Sequence, residues 1–436
     1  MHAGRLYQYR PGRIVAVTQV SSNAAGAREL EPRKATPPRR WPSEADFWRL
    51  WLIGTVQFSV RWIEMLAIGV YVYQKTGSAF LVTTLTMLRV LPMALFGAFV
   101  GAAADRLEGR TVLLLNTLAL LATSVTIALL AYTDHLSVWH LAAATFIGGT
   151  IWSTDIPLRR LMIGRVVGAD RMAHAMVFDV GSNNASRMAG PAIGGAVLAT
   201  WGINGCFALG AVLYLVAILA AAGIRYRNPL PLDAGGFLLR NILDAVGLVR
   251  RDKKLLGIFA ITLIFNLFAW PNLSLIPVIG KDSLNLGPGG VGLLASMEGV
   301  GAIAGVMTVY FLGRTAYYPR LFIYSVFAYL IALTTFAMLP DASLAGLALL
   351  VAGLGGSGFS ITQSTLAFHS AKPEMRGRVL GLLSVSIGMG PIGFLQVGLL
   401  ADAVGAQHAI IITGCEGLLA LLLTQRLWRE IRMDSG

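Results

Sequence analysis

Charge is the scarcest commodity in this chain of 436 residues: Asp, Glu, Lys and Arg together make up 13% of it. A soluble globular protein carries about a quarter, so an ordinary water-soluble enzyme is excluded, and so is a disordered chain, which needs more charge and less apolar content. Cysteine is nearly absent. Cys206 and Cys415 are too few for a disulfide framework, both lie inside apolar runs, and no spaced Cys/His set suggests a metal site. There is also no GxxxxGK[ST] loop for the phosphates of ATP, and no nucleophile elbow. No cofactor is expected.

What is present is apolar. The hydrophobic share is 56% and the mean hydropathy +0.67. That is about 244 residues, close to the roughly 240 that twelve membrane helices of about 20 residues would need. From Phe47 onward the apolar runs fall at regular intervals, and they predict spans over 47–73, 79–102, 111–132, 138–160, 172–200, 204–224, 255–279, 289–312, 321–339, 343–368, 377–403 and 406–428.

The net charge of +13 is distributed by topology. Of 35 Lys and Arg, 30 lie in or at the edge of the two tails and alternate connections, two (Lys75 and Lys281) lie in the intervening ones, and Arg61, Arg89 and Arg187 lie well inside spans. Such alternation is the positive-inside rule; it predicts both termini in the cytoplasm and makes a nucleic-acid partner unnecessary. Residues 1–46, rich in Arg, Pro, Ser and Ala, have no apolar stretch long enough for a signal peptide and read as a disordered basic cytoplasmic tail. Residues 429–436 read as a second, short tail. Between the sixth and seventh spans, 225–254 mixes Phe237, Leu238, Leu239 and Ile242 with Arg240, Asp244, Arg250 and Arg251, which predicts an amphipathic cytoplasmic linker. Trp48, Trp51 and Trp428 at one set of span ends, and Trp139 and Trp201 at the other, read as interfacial anchors.

The halves on either side of that linker, 47–224 and 255–428, echo each other. Gly190-Pro191-Ala192-Ile193-Gly194 in the fifth span returns as Gly390-Pro391-Ile392-Gly393 in the eleventh, and Gly109-Arg110 returns as Gly313-Arg314. Two six-span repeats with a site between them near mid-membrane are a recurring transporter plan. The fold class read from this pattern is an all-α membrane protein of two pseudo-symmetric six-helix bundles.

Ionisable side chains within spans are costly, at least about 2–3 kcal/mol each at the bilayer centre, and mark function by default. Gln57, Arg61 and Glu64 share one face of the first span; Asp179, Asn183 and Arg187 share one face of the fifth; Arg89 and Glu298 lie in the second and eighth. Together they predict a polar cavity wall, with Glu64 or Glu298 as the group that carries a coupling proton. The alternative is that Arg61 with Glu64, and Arg187 with Asp179, are fixed structural pairs. Trp62, Trp152, Asn266, Trp270, Asn272 and Gln363 are candidates to line an organic-substrate site, with Trp270-Pro271 marking a break in the seventh span. Glu416 in the last span reads as peripheral.

Three motifs carry a family resemblance. The connection after the second span reads Gly101-Ala-Ala-Ala-Asp105-Arg106-Leu-Glu108-Gly109-Arg110. The fourth span ends in Asp155-Ile-Pro157-Leu-Arg159. The fifth contains Ser186-Arg187-Met-Ala-Gly190-Pro191-Ala-Ile-Gly194-Gly195. The first resembles the loop between helices two and three of the major facilitator superfamily, with Glu108 as a departure from the pattern. The others resemble the subfamily that includes the enterobactin exporter and transmembrane secretion effectors. The resemblance implies that Gly101, Asp105, Arg106 and Arg110 form a cytoplasmic latch reached by Asp155, and that Gly190, Pro191, Gly194 and Gly195 are the packing motif of antiporter-type exporters. Glycines of that motif are replaced here by Ser182 and Ser186, and the arginine motif that some drug/proton antiporters carry in the fourth helix is missing. The implied protein is a monomeric, proton-coupled exporter of small amphiphilic molecules (a siderophore, drug or metabolite) in the bilayer of a bacterial inner membrane. A metabolite importer or facilitator, and a non-transporting sensor or assembly protein on the same fold, are the alternative readings.

Overall fold

The computed structural model describes residues 44–104, 108–168, 171–227, 252–312, 317–371 and 375–432, together with 247 and 249. Every regular element among them is helical: α1 Glu44–Thr76, α2 Ala79–Ala104, α3 Gly109–Tyr132, α4 Val138–Val167, α5 Met172–Ala222, α6 Lys253–Ile264, α7 Ile276–Asp282, α8 Pro288–Leu312, α9 Tyr318–Met338, α10 Ala342–Ser370, α11 Arg376–Ile387, α12 Gly390–Val404, α13 Ala406–Leu423 and α14 Gln425–Arg432. The basic tail up to residue 43 and the linker residues that predicted an amphipathic helix lie outside the described residues.

Local chemistry sets the helix ends. Asp252 and Asp341 accept from the first free N–H groups of α6 and α10, and Ser137 with His140 forms a reciprocal cap on α4. Asp46, in the first turn of α1, accepts from the backbone N–H groups of Arg225 and Tyr226, 2.9–3.2 Å away, and ties the start of the first helix to the chain beyond α5.

The fifth and sixth expected spans form one helical run, interrupted only at Gly202, whose φ of +67° and ψ of −170° turn the chain without a loop. That conformation costs glycine little and other residues much. Pro191 of the fifth-span motif lies inside this helical run. The eleventh span is broken where one helix was expected: α11 stops at Ile387 and α12 restarts at Gly390, placing Pro391 in the first turn, where its missing N–H is no loss. The seventh span changes winding as Trp270-Pro271 predicts, from α6 through a π turn at Phe265–Ala269 and a tight 3₁₀ segment at Trp270–Leu275 into α7.

Nine helical runs among the described residues are long and apolar enough to cross a membrane. α2 carries a shorter apolar stretch, Ala79–Leu95. α4 holds Asp155, Arg159 and Arg160. Leu115, Leu129, Leu219, Leu293, Ile331 and Leu423 face outward and more than half exposed, an apolar surface suited to hydrocarbon. Trp139 and Trp201 are exposed at helix ends, while Trp51 turns in to donate to Ser182. Cys206 is packed inside, its Sγ 3.6 Å from the carbonyl of Gly194, and Cys415 lies on the outward face of α13.

Candidate functional site

A cavity of about 210 Å³ lies between the first and second halves of the chain. Its wall takes Arg61 and Trp62 from α1, Arg89 from α2, Trp152 from α4, Arg187 and Pro191 from α5, Trp270 from the 3₁₀ segment, Glu298 from α8 and Phe394 from α12. At the end of the bundle away from Glu44 and Arg432 the halves are drawn together. Tyr73 donates to Asp282 there, Ser78 is 3.4 Å from Asp402, and Gly398 of α12 sits against Thr83 of α2.

Arg187 reaches across the cavity to Glu298, with Nε donating to Oε2 at 2.7 Å and Nη2 to Oε1. Glu298 is buried, and Arg187 remains partly open to the cavity. A two-pronged guanidinium–carboxylate bond fixes orientation as well as charge. Glu64 accepts from Ser124 at 2.8 Å and lies 3.8 Å from Arg89.

Both expected fixed pairs are therefore corrected. Arg61 and Glu64 are one turn apart, but Arg61 is drawn toward Asn183, at 3.1 Å, and stacks within 4.8–5.5 Å of Trp152, Trp62 and Phe58. Asp179 lies two turns from Arg187 and pairs instead with Arg159, and with Arg160 at 2.9 Å. Arg159, at the end of the fourth expected span and counted with the cytoplasmic cations, is fully buried, pairing also with Asp155 at 3.3 Å and stacking on Phe58. Gln57 donates to Asp155 at 3.2 Å. The spacing Asp155-x-x-x-Arg159 on one helix face was the available signal for this cluster.

Asp105 and Arg106 lie outside the described residues. Gly101 ends up in the last turns of α2, and Arg110 donates to the carbonyl of Ala222 at 2.7 Å, across α3 and α5. The glycines of the fifth-helix motif are packing positions. Gly190 and Gly194 lie against Trp62 and Ile63 of α1, and Gly195 against Gly292 of α8.

The amide candidates divide from the aromatic ones. Asn272 accepts from Thr413 and Gln363 donates to Thr262, both at 2.9 Å, while Asn266 bonds the carbonyl of Thr262. These bonds lie within the second half of the chain, and none of the three lines the cavity. Glu416 takes a bond from Gln396 at 2.6 Å. Phe394 is one of several cavity residues that sequence reasoning missed, with Met65, Thr86 and Ser274 among the others; it packs edge-on against Trp270 at 5.3 Å, and its place after Gly390-Pro391 was the available signal. No set of His, Cys, Asp and Glu that could hold a metal occurs among the described residues.

A family model described as transmembrane secretion effector matches residues 42–434. Macrolide efflux protein A of Streptococcus pyogenes is 24% identical, with 84% of this chain and 92% of that protein aligned. The staphyloferrin A transporter of Staphylococcus aureus is 21% identical over 86% and 94%. A crystal structure of the nucleoside transporter NupG superposes with a TM-score of 0.68 at 15% identity, covering 89% of this chain and 100% of that one.

Proposed function

The chain belongs to the transmembrane secretion effector family of the major facilitator superfamily, and from that premise we propose that it exports small amphiphilic organic molecules by alternating access, driven by proton entry. It is a multi-pass membrane transporter, not an enzyme. A relative whose name describes efflux supports the outward direction. The rest of the proposal is twelve spans in two six-helix halves, 47–224 and 255–428, in a monomer with both termini in the cytoplasm of a bacterial cell.

The Arg187–Glu298 pair carries this reading, because it joins α5 to α8 across the cavity wall and one proton on the carboxylate removes its charge. With the termini inside, the described contacts close the outer end. Cargo entering from the cytoplasm competes for Arg187 and loosens the tie. Once the cavity opens outward, Glu298 takes a proton there and the cargo leaves. The pair re-forms only after that proton has been lost to the cytoplasm, so one proton enters for each cargo molecule exported. An ionised acid left unpaired in the membrane is costly, which discourages cycling without a proton or a partner. Asp105 and Arg106, with Arg110 and Asp155, supply the latch on the cytoplasmic side in the opposite state.

The test is accumulation of fluorescent amphiphiles in inverted vesicles with an acidic lumen. Wild-type protein should accumulate at least one compound, and a protonophore should abolish the accumulation. Glu298→Gln should lose gradient-driven accumulation while retaining exchange of cargo for cargo. Accumulation indifferent to the protonophore, or unchanged in Glu298→Gln, would sink the proposed coupling.

A further inference from the structure

Arg61 is the cavity cation that the protein itself leaves unmatched. Arg89 has Glu64, Arg159 has Asp155 and Asp179, Arg160 has Asp179, and Arg187 has Glu298. Among the described residues no carboxylate lies within ion-pair distance of Arg61; its one described hydrogen bond goes to the neutral amide of Asn183. An uncompensated charge held within the membrane is expensive, and a site of that kind is expected to be matched by something that comes and goes.

The surroundings of Arg61 say what comes. Trp62, Trp152 and Phe58 lie 4.8–5.5 Å from its guanidinium carbon. An aromatic box of this kind is the usual receptor for a ligand's cation, but here the chain's own guanidinium fills it. An incoming cation would also meet Arg89 and Arg187 on the same wall. With its faces stacked, Arg61 can still offer its in-plane N–H edge, which suits a carboxylate. Three buried nitrogens on neighbouring cavity residues have no hydrogen-bond partner: Nε1 of Trp62, Nε1 of Trp152 and Nε of Arg89. All three are donors only, and a buried donor left unmet costs about 1–3 kcal/mol. The unmet groups beside Arg61 are thus all donors, while Trp270 and Phe394, packed edge-on in the same cavity, supply apolar surface.

We propose that the cargo is an organic anion, a carboxylate or equivalent acid carried on an apolar body, and that Arg61 receives the acid group with the indole N–H groups of Trp62 and Trp152 beside it. This inference rests on the reading above that the central cavity is the transport cavity. It narrows the cargo from amphiphiles in general to acids.

The test uses the full chain in lipid nanodiscs and three anthracene probes of one shape: 9-anthroate, its neutral methyl ester, and the cationic 9-(aminomethyl)anthracene. Saturable energy transfer from cavity tryptophans to the probe reports occupancy. Wild-type protein should bind the acid at least tenfold more tightly than the ester or the amine, and Arg61→Gln should abolish that preference without changing the melting temperature by more than a few degrees. Should Arg61→Gln fail to fold, Arg61→Lys, which keeps the charge and loses the planar fork, should weaken acid binding and leave the ester unaffected. Equal binding of the three probes, a preference that survives both substitutions, or displacement of the acid by equimolar chloride or phosphate would each overturn the inference. Gradient-driven movement in vesicles reads the parent proposal separately. Driven transport of the ester or amine with no preference for the acid overturns the acid site and leaves export standing. Saturable, Arg61-dependent binding of the acid with no driven transport of any probe supports the site and removes export.

Discussion

Gly195 of α5 and Gly292 of α8 meet with no side chain between them. A Cβ built on Gly195 would lie 2.8 Å from the Cα of Gly292, and one built on Gly292 would lie 2.9 Å from the Cα of Gly195. The two helices come from opposite halves of the chain, so their approach closes the end of the cavity away from Glu44 and Arg432. Arg187 and Glu298 lie about two turns further along the same pair of helices.

A side chain at this seam should oppose the closed arrangement without harming either half. Gly292→Leu places carbon where backbone stands and cannot be absorbed by a rotamer change. We expect transport to fall more than tenfold, with distances between spin labels on α5 and α8 shifted toward the separated state. A shift of about 1.4 kcal/mol already changes the ratio of the two states tenfold. Unchanged label distances would show that the glycines are not what sets the approach.

Removing one member of the cross-cavity pair should cost more than removing both. A fully buried pair broken on one side loses about 3–5 kcal/mol, and Arg187, partly open to the cavity, should give somewhat less. Glu298→Ala is therefore expected to lower the melting temperature by more than the double change Arg187→Met with Glu298→Met. Additive losses would mean that the two groups are not coupled.

Arg159 tests the buried cluster of the first half. Arg159→Met leaves Asp155 and Asp179 facing each other with Arg160 as the remaining cation, and a stability loss of about 3–5 kcal/mol is expected from the uncompensated charge. Adding Asp155→Asn should recover part of it. A thermal melt of the three proteins decides this, and a further loss on adding Asp155→Asn would contradict the ion-pair account.

Tyr73 donates to Asp282 at the end where the halves touch. Tyr73→Phe removes one charge-assisted hydrogen bond, worth about 1.5–3 kcal/mol, and should favour the opposite-facing state by about tenfold or more. The reading is accessibility of a cysteine placed on the cavity wall to a membrane-impermeant thiol reagent added from the non-terminal side. Accessibility that does not rise would leave the bond without a gating role.

Much of this arrangement was legible in the sequence because membrane helices announce themselves by composition. Of the ionisable and amide residues read as one cavity wall, Arg61, Arg89, Arg187 and Glu298 line the cavity together, joined by Trp270 from the substrate candidates, whereas Gln57, Glu64, Asp179 and Asn183 do not line it. The partners were not legible. Periodicity says which residues share a face of one helix, so it offered Glu64 to Arg61 and Asp179 to Arg187. The actual partners come from other helices, at sequence separations that no period encodes. The burial of Arg159 was hidden for a related reason: a cation at a span end reads as one facing water until a second helix supplies Asp179. The glycines of the fifth-span motif, read as packing positions, lie at close helix–helix approaches.

The positions of the two cysteines decide how the moving protein can be watched. Thiol reagents attack the thiolate, which forms readily only in water. Cys206 is packed among side chains, and Cys415 is exposed midway along α13, a helix long and apolar enough to cross a membrane, where hydrocarbon rather than water is expected to meet it. The unaltered chain is thus close to silent toward hydrophilic maleimides. A fluorophore or spin label can be attached at any loop position by a single substitution, with both native sulfurs left in place.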